Sequence, residues 1–313
     1  MMKLGVFASM VWLVQGADAQ DGASMYASKS PSRGQLQVEL FQTPQRLLPL
    51  VSVSPDPPSS ALTLALRAIV GTDAASMGDR FEAVHALGPN LSRDHIAVLT
   101  VFLKLPPRAS EKNLPGLHGL NNDLLNVLRN QTTPPAGLTD TLLEIYRDAA
   151  QDSVIRDYAI QHLFLWYEQG AHDTLDAKEK IRAVLHEATR QNTSTAGTAL
   201  LGLHRLSAGD AAFSQQEIDR LALSLALSAD TELATRITAI QVCAERGISE
   251  VLPTMELLAR TSRCVPLRLS AIAALGRLGG PEHAGRLRQV AGGQNEAVRP
   301  ALQSALRRLE QKQ

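Results

Sequence analysis

The sequence has few aromatic residues, only two cysteines and no net charge. Aromatic side chains make up 4% of the 313 residues. Sheets are enriched in aromatic and β-branched residues, so a composition dominated by Leu and Ala favours helices. Two cysteines cannot build a disulfide scaffold. The 31 basic and 31 acidic residues cancel, which excludes the strongly basic charge typical of nucleic-acid-binding proteins.

The sequence also lacks the common catalytic and metal-binding motifs. Its eight histidines form neither His-x-x-x-His nor His-Glu-x-x-His, the helical spacings that bind zinc. A phosphate-binding Gly-rich loop, a Gly-x-Ser-x-Gly turn and a dinucleotide fingerprint are absent as well. We therefore expect a protein that is not an enzyme and that binds no cofactor, metal or nucleic acid. A catalytic triad assembled from distant segments leaves no such motif and stays an open alternative.

Residues 1–19 have the three parts of a secretory signal. Lys3 supplies the positive start, residues 4–14 are mostly apolar, and Ala17-Asp18-Ala19 is a small-x-small cleavage site. The apolar run is shorter than the roughly 20 residues of a permanent membrane span, and no later stretch reaches that length. We expect cleavage before Gln20, export to the periplasm or outside the cell, and no transmembrane segment. An amphipathic or buried N-terminal helix is the alternative interpretation.

Residues 20–60 differ in composition from the rest of the chain. They are rich in Ser, Gly and Pro, which is typical of a flexible arm. Within them, residues 35–41 alternate between apolar and polar side chains, and this pattern predicts a short strand or an extended segment. The domain boundaries that we predict are therefore a signal peptide at 1–19, an arm at 20–60 and a repeat domain at 61–313.

A repeated pattern runs through residues 61–313. The segments at 268–279 and 80–88 share Arg at the first position, Ala at +3, a β-branched residue at +4, Ala at +6, Leu at +7 and Gly at +8. Positions +3, +4 and +7 lie on one face of a helix. Copies that fit this frame completely or in part begin 31 to 41 residues apart, at positions 80, 121, 156, 196, 236, 268 and 299. A period in this range indicates a helical solenoid, in which stacking buries the face that one unit leaves exposed.

The pattern predicts a partner helix after each of the first six copies. We place these helices near 93–104, 137–150, 174–190, 214–228, 249–262 and 282–291. A lone helix at 62–71 opens the stack, and a helix at about 295–311 closes it. Helix starts are predicted at Ser92, Asp173 and Ser214, and helix ends at Gly88, Gly170, Gly247 and Gly279. The predicted fold is all-α, an α-solenoid of stacked antiparallel helix pairs.

The motif Arg-x-x-Ala-x-x-Ala-Leu-Gly-x-Leu-Gly at 268–279 resembles the HEAT-like repeat of the phycobilisome-lyase type. This resemblance covers roughly residues 62–311 and implies an armadillo-like helical superhelix. Most proteins of this kind are interaction scaffolds, so the resemblance implies an exported scaffold that binds a protein or peptide partner. A minority are enzymes. The alternative function is a lyase-like enzyme, or a subunit of one, that acts on a bound prosthetic group.

The candidate binding residues are Tyr158, His162 and Trp166. Their i, i+4, i+8 spacing places them in one stripe on a helix. Exposed amphipathic aromatic side chains are typical anchors for a protein partner. The same three residues could instead fill a thick layer between repeats, and the spacing alone does not separate the two interpretations.

Other features are weaker indicators of function. Residues 260–313 contain ten Lys or Arg and three Glu, so this basic end could make weak contact with an anionic surface. Solvated helix faces explain much of the same excess. Cys243 occupies a core position of the repeat, too far along its helix for a disulfide with Cys264. Asn-x-Ser/Thr sequences occur at Asn90, Asn130 and Asn192, all in predicted turns.

Overall fold

Helices dominate the computed structural model, which describes residues 61–71, 75–107, 113–170, 174–291 and 296–311. The predicted signal peptide and arm lie outside the described residues. The fourteen α-helices of the described residues are α1 Ala61–Val70, α2 Met77–His85, α3 Arg93–Lys104, α4 Leu114–Arg129, α5 Leu138–Arg147, α6 Ser153–Glu168, α7 Leu175–Ala188, α8 Ser194–Leu206, α9 Gln215–Leu227, α10 Leu233–Arg246, α11 Leu252–Thr261, α12 Val265–Leu278, α13 Pro281–Ala291 and α14 Arg299–Glu310. Short 3₁₀ turns at Ser249–Val251 and Glu296–Val298 precede α11 and α14.

The helices pack as neighbouring pairs in two layers. The even-numbered helices, from α2 to α14, form one layer in which each helix packs against the next even-numbered helix. The odd-numbered helices form the second layer and pack against their even-numbered neighbours. The predicted all-α solenoid is therefore confirmed. No helix of the described segments has the length and apolar character needed to cross a bilayer.

The repeat frame identifies most of the buried face of the even layer. In α6 the side chains at +3, +4 and +7 are Ala159, Ile160 and Leu163, and all three are fully buried. The same positions are buried in α8, α10 and α12. Small residues let the even helices approach one another closely. A Cβ atom added to Gly276 of α12 would lie 2.7 Å from the backbone Cα of Ala305 in α14.

In three copies of the repeat, the arginine at the first frame position links the two layers of helices. Arg156 donates from Nε to the main-chain oxygen of Tyr146, the second-to-last residue of α5. Arg236 and Arg268 make the equivalent bonds to carbonyls near the ends of α9 and α11. The last carbonyls of a helix have no partner within the helix. These arginines supply one, which explains part of the basic content of the repeat.

The last copy of the repeat was placed wrongly by the sequence frame. That frame begins at Arg299 and puts Leu306 at the core position +7. In the structure Leu306 is only half-buried, whereas Leu302, Ala305 and Leu309 are buried. The frame of α14 therefore begins at Leu302, three residues later. In this copy leucine stands at the first position, where the clearest copies have arginine. The sequence frame therefore took Arg299 as the first position.

Helix boundaries follow local capping signals. The predicted partner helix at 93–104 has the same bounds as α3, and Ser92 accepts a hydrogen bond from the backbone N–H of His95. Ser214 caps α9 in the same way. Asp173, the predicted cap of the helix between them, lies outside the described residues. The cap of α7 is Thr174, which accepts from the N–H of Ala177.

Candidate functional site

The predicted stripe on α6 is largely buried. The side chains of His162 and Trp166 are each 2% exposed, whereas Tyr158 is half-buried. Helix α6 packs against α4, α5, α7 and α8, so little of its circumference faces solvent. The indole of Trp166 and the imidazole of His162 are buried, as expected if these side chains fill a layer between repeats. Only Tyr158 has side-chain surface that a partner could contact, and its role in binding stays a prediction.

His162 is a buried neutral histidine. Burial, reinforced by the nearby positive charge of Arg129, lowers its pKa to about 3. Its Nε2 lies 3.2 Å from Oδ1 of Asn122 in α4. Because this amide oxygen can only accept, Nε2 carries the proton and donates it. The imidazole therefore connects α6 to α4 and fixes the orientation of the Asn122 side chain.

Tyr158 lies beside a pair of carboxylates. Burial raises the pKa of its hydroxyl, and the negative charges of Asp157 and Asp123 raise it further. Asp123 belongs to α4 and contacts His85 of α2, with 3.4 Å between Oδ2 and Nε2. Tyr158 is therefore close to the point at which α2, α4 and α6 present side chains on the same surface.

A cleft of about 360 Å³ opens on this surface between α2 and α4. Leu87 and Val127 form its apolar floor, and the fully buried Val84 lies behind them. Its polar lining comes from His85, Asp123, Asn126, Asn130 and Gln131. Sequence reasoning did not find this cleft, because it arises from a difference in length between two neighbouring helices.

Helix α2 ends at His85, opposite Asp123, so the last turns of α4 face a turn of the chain and not a helix. Helix α2 has nine residues and α4 has sixteen. Proline cannot continue a helix and disfavours the helical conformation in the residue before it, so Gly88-Pro89 prevents α2 from extending. Gln131 then holds the turn in place. Its Oε1 accepts from the N–H of Leu91, and its Nε2 donates to the carbonyls of Gly88 and Val127.

The cleft continues into a row of contacts between successive even-numbered helices. We call the exposed face of α2, α4, α6, α8 and α10 the even surface. Along it, Glu168 of α6 accepts from Arg205 of α8 at 2.6 Å, and His204 of α8 lies 3.1 Å from Glu245 of α10. The Glu168–Arg205 ion pair, which is exposed, contributes little stability, about 0–1 kcal/mol. Together with the His85–Asp123 contact between α2 and α4 and the Asn130–Gln169 hydrogen bond at the ends of α4 and α6, these contacts join five successive even-numbered helices.

Asp157 of α6 is half-buried, with a buried Oδ1, and sequence reasoning did not identify it. Burial raises its pKa to about 6, although a hydrogen bond from Thr198 of α8 opposes that change. Its Oδ1 is buried without a hydrogen-bond partner among the described residues. A signal was present in the sequence. Asp157 occupies frame position +1, where Phe81, Ile237 and Leu269 are found in other copies.

The described residues offer little metal-binding or nucleophilic chemistry. No group of three His, Cys, Asp or Glu side chains that could hold a metal ion occurs in the described ranges. Cys243 and Cys264 are both free. Burial raises the pKa of the Cys243 thiol to about 12, assisted by the charges of Asp219 and Glu250. This thiol is therefore protonated at neutral pH and a poor nucleophile.

Comparison with known proteins adds no family assignment. No protein-family model matches the sequence, and no curated protein matches it as a relative. The class of the described domain, an α-solenoid of packed helix pairs, is defined by its helix arrangement. The likeness to HEAT-like repeats stays a prediction from the motif at 268–279.

Proposed function

We propose that this chain is a non-catalytic exported scaffold that binds a protein or peptide partner through the even surface. One observation carries the proposal. Surface side chains of successive even-numbered helices touch from α2 to α10, through the pairs His85–Asp123, Asn130–Gln169, Arg205–Glu168 and His204–Glu245. The even surface is thus one continuous platform, with a cleft at its α2 end.

The form of this platform supports a binding role. Stacked repeats create extended surfaces because each unit adds one helix to the same face. A stable protein interface buries about 800 Å² on each partner, which several adjacent helices can provide. The resemblance of 268–279 to HEAT-like repeats also supports a scaffold.

Export is the second part of the proposal. It is supported by the order of Lys3, the apolar residues 4–14 and the small-x-small site at Ala17–Ala19. We propose that the mature protein acts in the periplasm or outside the cell. Weak contact with an anionic surface through the basic C-terminal end is a minor component, because Arg286 and Arg288 already pair with Glu256 and Glu310.

Co-purification after mild cross-linking in the native host tests the binding role. The informative variant is Gln161→Arg, on the even surface of α6, and its matched control is Gln216→Arg on the exposed side of α9. A stoichiometric partner should be recovered with the wild-type protein and with Gln216→Arg, and at least fivefold less with Gln161→Arg.

Two results would contradict the proposal. One is recovery of no macromolecule with the wild-type protein. The other is equal recovery of a partner with both variants, which would place the interface elsewhere. A bound prosthetic group in place of a macromolecule would instead favour the lyase-like alternative.

A further inference from the structure

We propose that the cleft between α2 and α4 binds an extended peptide segment through a row of side-chain amides on α4. The row consists of Asn122, Asn126 and Asn130, and we call it the amide row. This inference rests on the proposed scaffold function and specifies the class of partner: a chain segment in β conformation, recognised mainly by its main-chain carbonyls.

The amide row runs along one side of α4. Residues four apart in a helix lie on the same face, about 6 Å apart along the axis. Asn126 and Asn130 line the cleft directly. Asn122 lies one turn further from the cleft and is half-buried. The row therefore leads out of the cleft towards α6 and Tyr158.

Each amide in the row has its oxygen occupied within the chain. Oδ1 of Asn122 faces Nε2 of His162 at 3.2 Å. Oδ1 of Asn126 accepts from Arg129 at 3.0 Å, and Oδ1 of Asn130 accepts from Gln169 at 3.4 Å.

These bonds determine which way each amide points. With the oxygens engaged, the Nδ2 groups of the three residues are left as donors, and none of them bonds to another described residue. The amide row thus presents N–H groups in a fixed orientation, and the ligand that fits it must supply acceptors.

An extended peptide supplies acceptors at the required spacing. A strand rises about 3.3 Å per residue, so carbonyls on one edge recur about every 6.6 Å. That repeat is close to the rise of about 6 Å between successive members of the amide row. The apolar floor of Leu87 and Val127 can accommodate a side chain that points into the cleft. Asp123 on the rim can accept a main-chain N–H.

The chain already uses carboxamides to hold its own main chain. Gln131 binds the backbone of the turn at Gly88 and Leu91. Asn192 does the same between α8 and α10, where Nδ2 donates to the carbonyl of Asp230 and Oδ1 accepts from the N–H of Glu232. Asn126 and Asn130 of the amide row have the same chemistry, but they line the cleft and their Nδ2 groups bond to no described main chain.

Selection from a phage-displayed library of random 12-residue peptides tests this inference. The immobilised mature protein is the bait, and fluorescence anisotropy measures the affinity of the selected peptides. The decisive variant is Asn126→Asp/Asn130→Asp, which keeps shape and acceptor oxygens but removes the N–H donors. The control is Gln216→Glu/Gln289→Glu, which adds the same charge at exposed positions of the odd-numbered helices α9 and α13, away from the cleft.

We expect at least tenfold weaker peptide binding by Asn126→Asp/Asn130→Asp, with the control within twofold of wild type. Asn126→Ala/Asn130→Ala should lose affinity to a similar extent, which separates donor loss from charge. Circular dichroism should show unchanged helicity in all three variants, because the altered side chains are exposed or half-buried.

Failure to select any saturable peptide, or equal affinity of wild type and both cleft variants, would overturn the inference. These results differ from failure of the scaffold proposal. If the native partner still co-purifies with Asn126→Asp/Asn130→Asp as with wild type, the scaffold proposal stands and the amide row is not its site.

Discussion

Arg268 of α12 donates its Nε–H to the main-chain oxygen of Ala259 in α11, 2.7 Å away. The same relationship links Arg156 to Tyr146 and Arg236 to Ala226. The first residue of the repeat is therefore a structural arginine that satisfies a carbonyl at the end of the preceding helix. The arginine recurs because it joins the two layers of helices, and its recurrence does not indicate a binding site for anions.

Replacing this arginine should weaken the fold. We expect Arg236→Ala to lower the free energy of unfolding by about 1.5–3 kcal/mol, the usual cost of losing a hydrogen bond from a charged group. Urea titration followed by circular dichroism measures the change. Arg220→Ala is the matched control, since Arg220 is exposed and bonds only within its own helix. An equal loss of unfolding free energy in the two variants would show that the inter-layer bond contributes no more stability than a bond within one helix.

Close packing of the even layer predicts opposite effects for two glycines. Gly276→Ala places a Cβ 2.7 Å from Ala305 and should destabilise the protein by about 1–3 kcal/mol. In Gly285→Ala of α13 the new methyl group meets nothing within 4 Å, so the better helix propensity of Ala should stabilise the protein by up to about 1 kcal/mol. Thermal unfolding of both variants gives the signs. Stabilisation by Gly276→Ala would contradict the close approach of α12 and α14.

The raised pKa of Asp157 predicts a pH-dependent stability difference. Relative to a free carboxyl at 3.8, a value of about 6 means that the folded state prefers the protonated form. The associated stability is present below pH 3.8 and is lost as the pH rises through 6. Asp157→Asn keeps the contact with Thr198 but carries no charge.

We expect Asp157→Asn to be more stable than wild type by up to about 3 kcal/mol at pH 7.5, because each pKa unit corresponds to about 1.36 kcal/mol. The difference should vanish below pH 4. Unfolding curves between pH 3.5 and 8 measure it, with Asp230→Asn at an exposed turn as the control. A pH-independent difference would show that the effect of the substitution is not electrostatic.

Within the stripe of α6, Trp166 and Tyr158 should respond differently to truncation. Trp166→Ala removes a side chain that is 2% exposed and should cost about 3–5 kcal/mol of stability. Tyr158→Ala, at a half-buried position, should cost less and should reduce recovery of a partner. Chemical unfolding and co-purification together separate the two. If Trp166→Ala kept full stability but no longer co-purified with a partner, the indole would be an anchor for that partner and not a core residue.

The helical periodicity predicted the helix pairs because burial in a solenoid depends on short-range spacing. Helix α3 begins and ends where the pattern placed it. The register of the last copy was predicted wrongly for a local reason. Leu302 stands at the frame position that carries arginine in the clearest copies, and the frame was aligned on Arg299, three residues earlier. A single characteristic residue therefore predicts the register of a repeat less well than the pattern of buried positions does.

The site was harder to predict because exposure depends on neighbouring helices. The spacing of Tyr158, His162 and Trp166 correctly indicates one stripe, but α6 is covered on several sides and most of the stripe is buried. The cleft depends on the unequal lengths of α2 and α4. Its signal, Gly88-Pro89, was interpreted only as the end of a helix.

Site-specific photo-cross-linking in the native host can show whether a protein partner binds at the even surface. A benzophenone amino acid at Gln161 probes the even surface, and the same group at Gln216 probes the opposite layer. We expect one dominant protein adduct from position 161 and little or none from position 216. Adducts that form equally from both positions, or only from position 216, would contradict binding through the even surface.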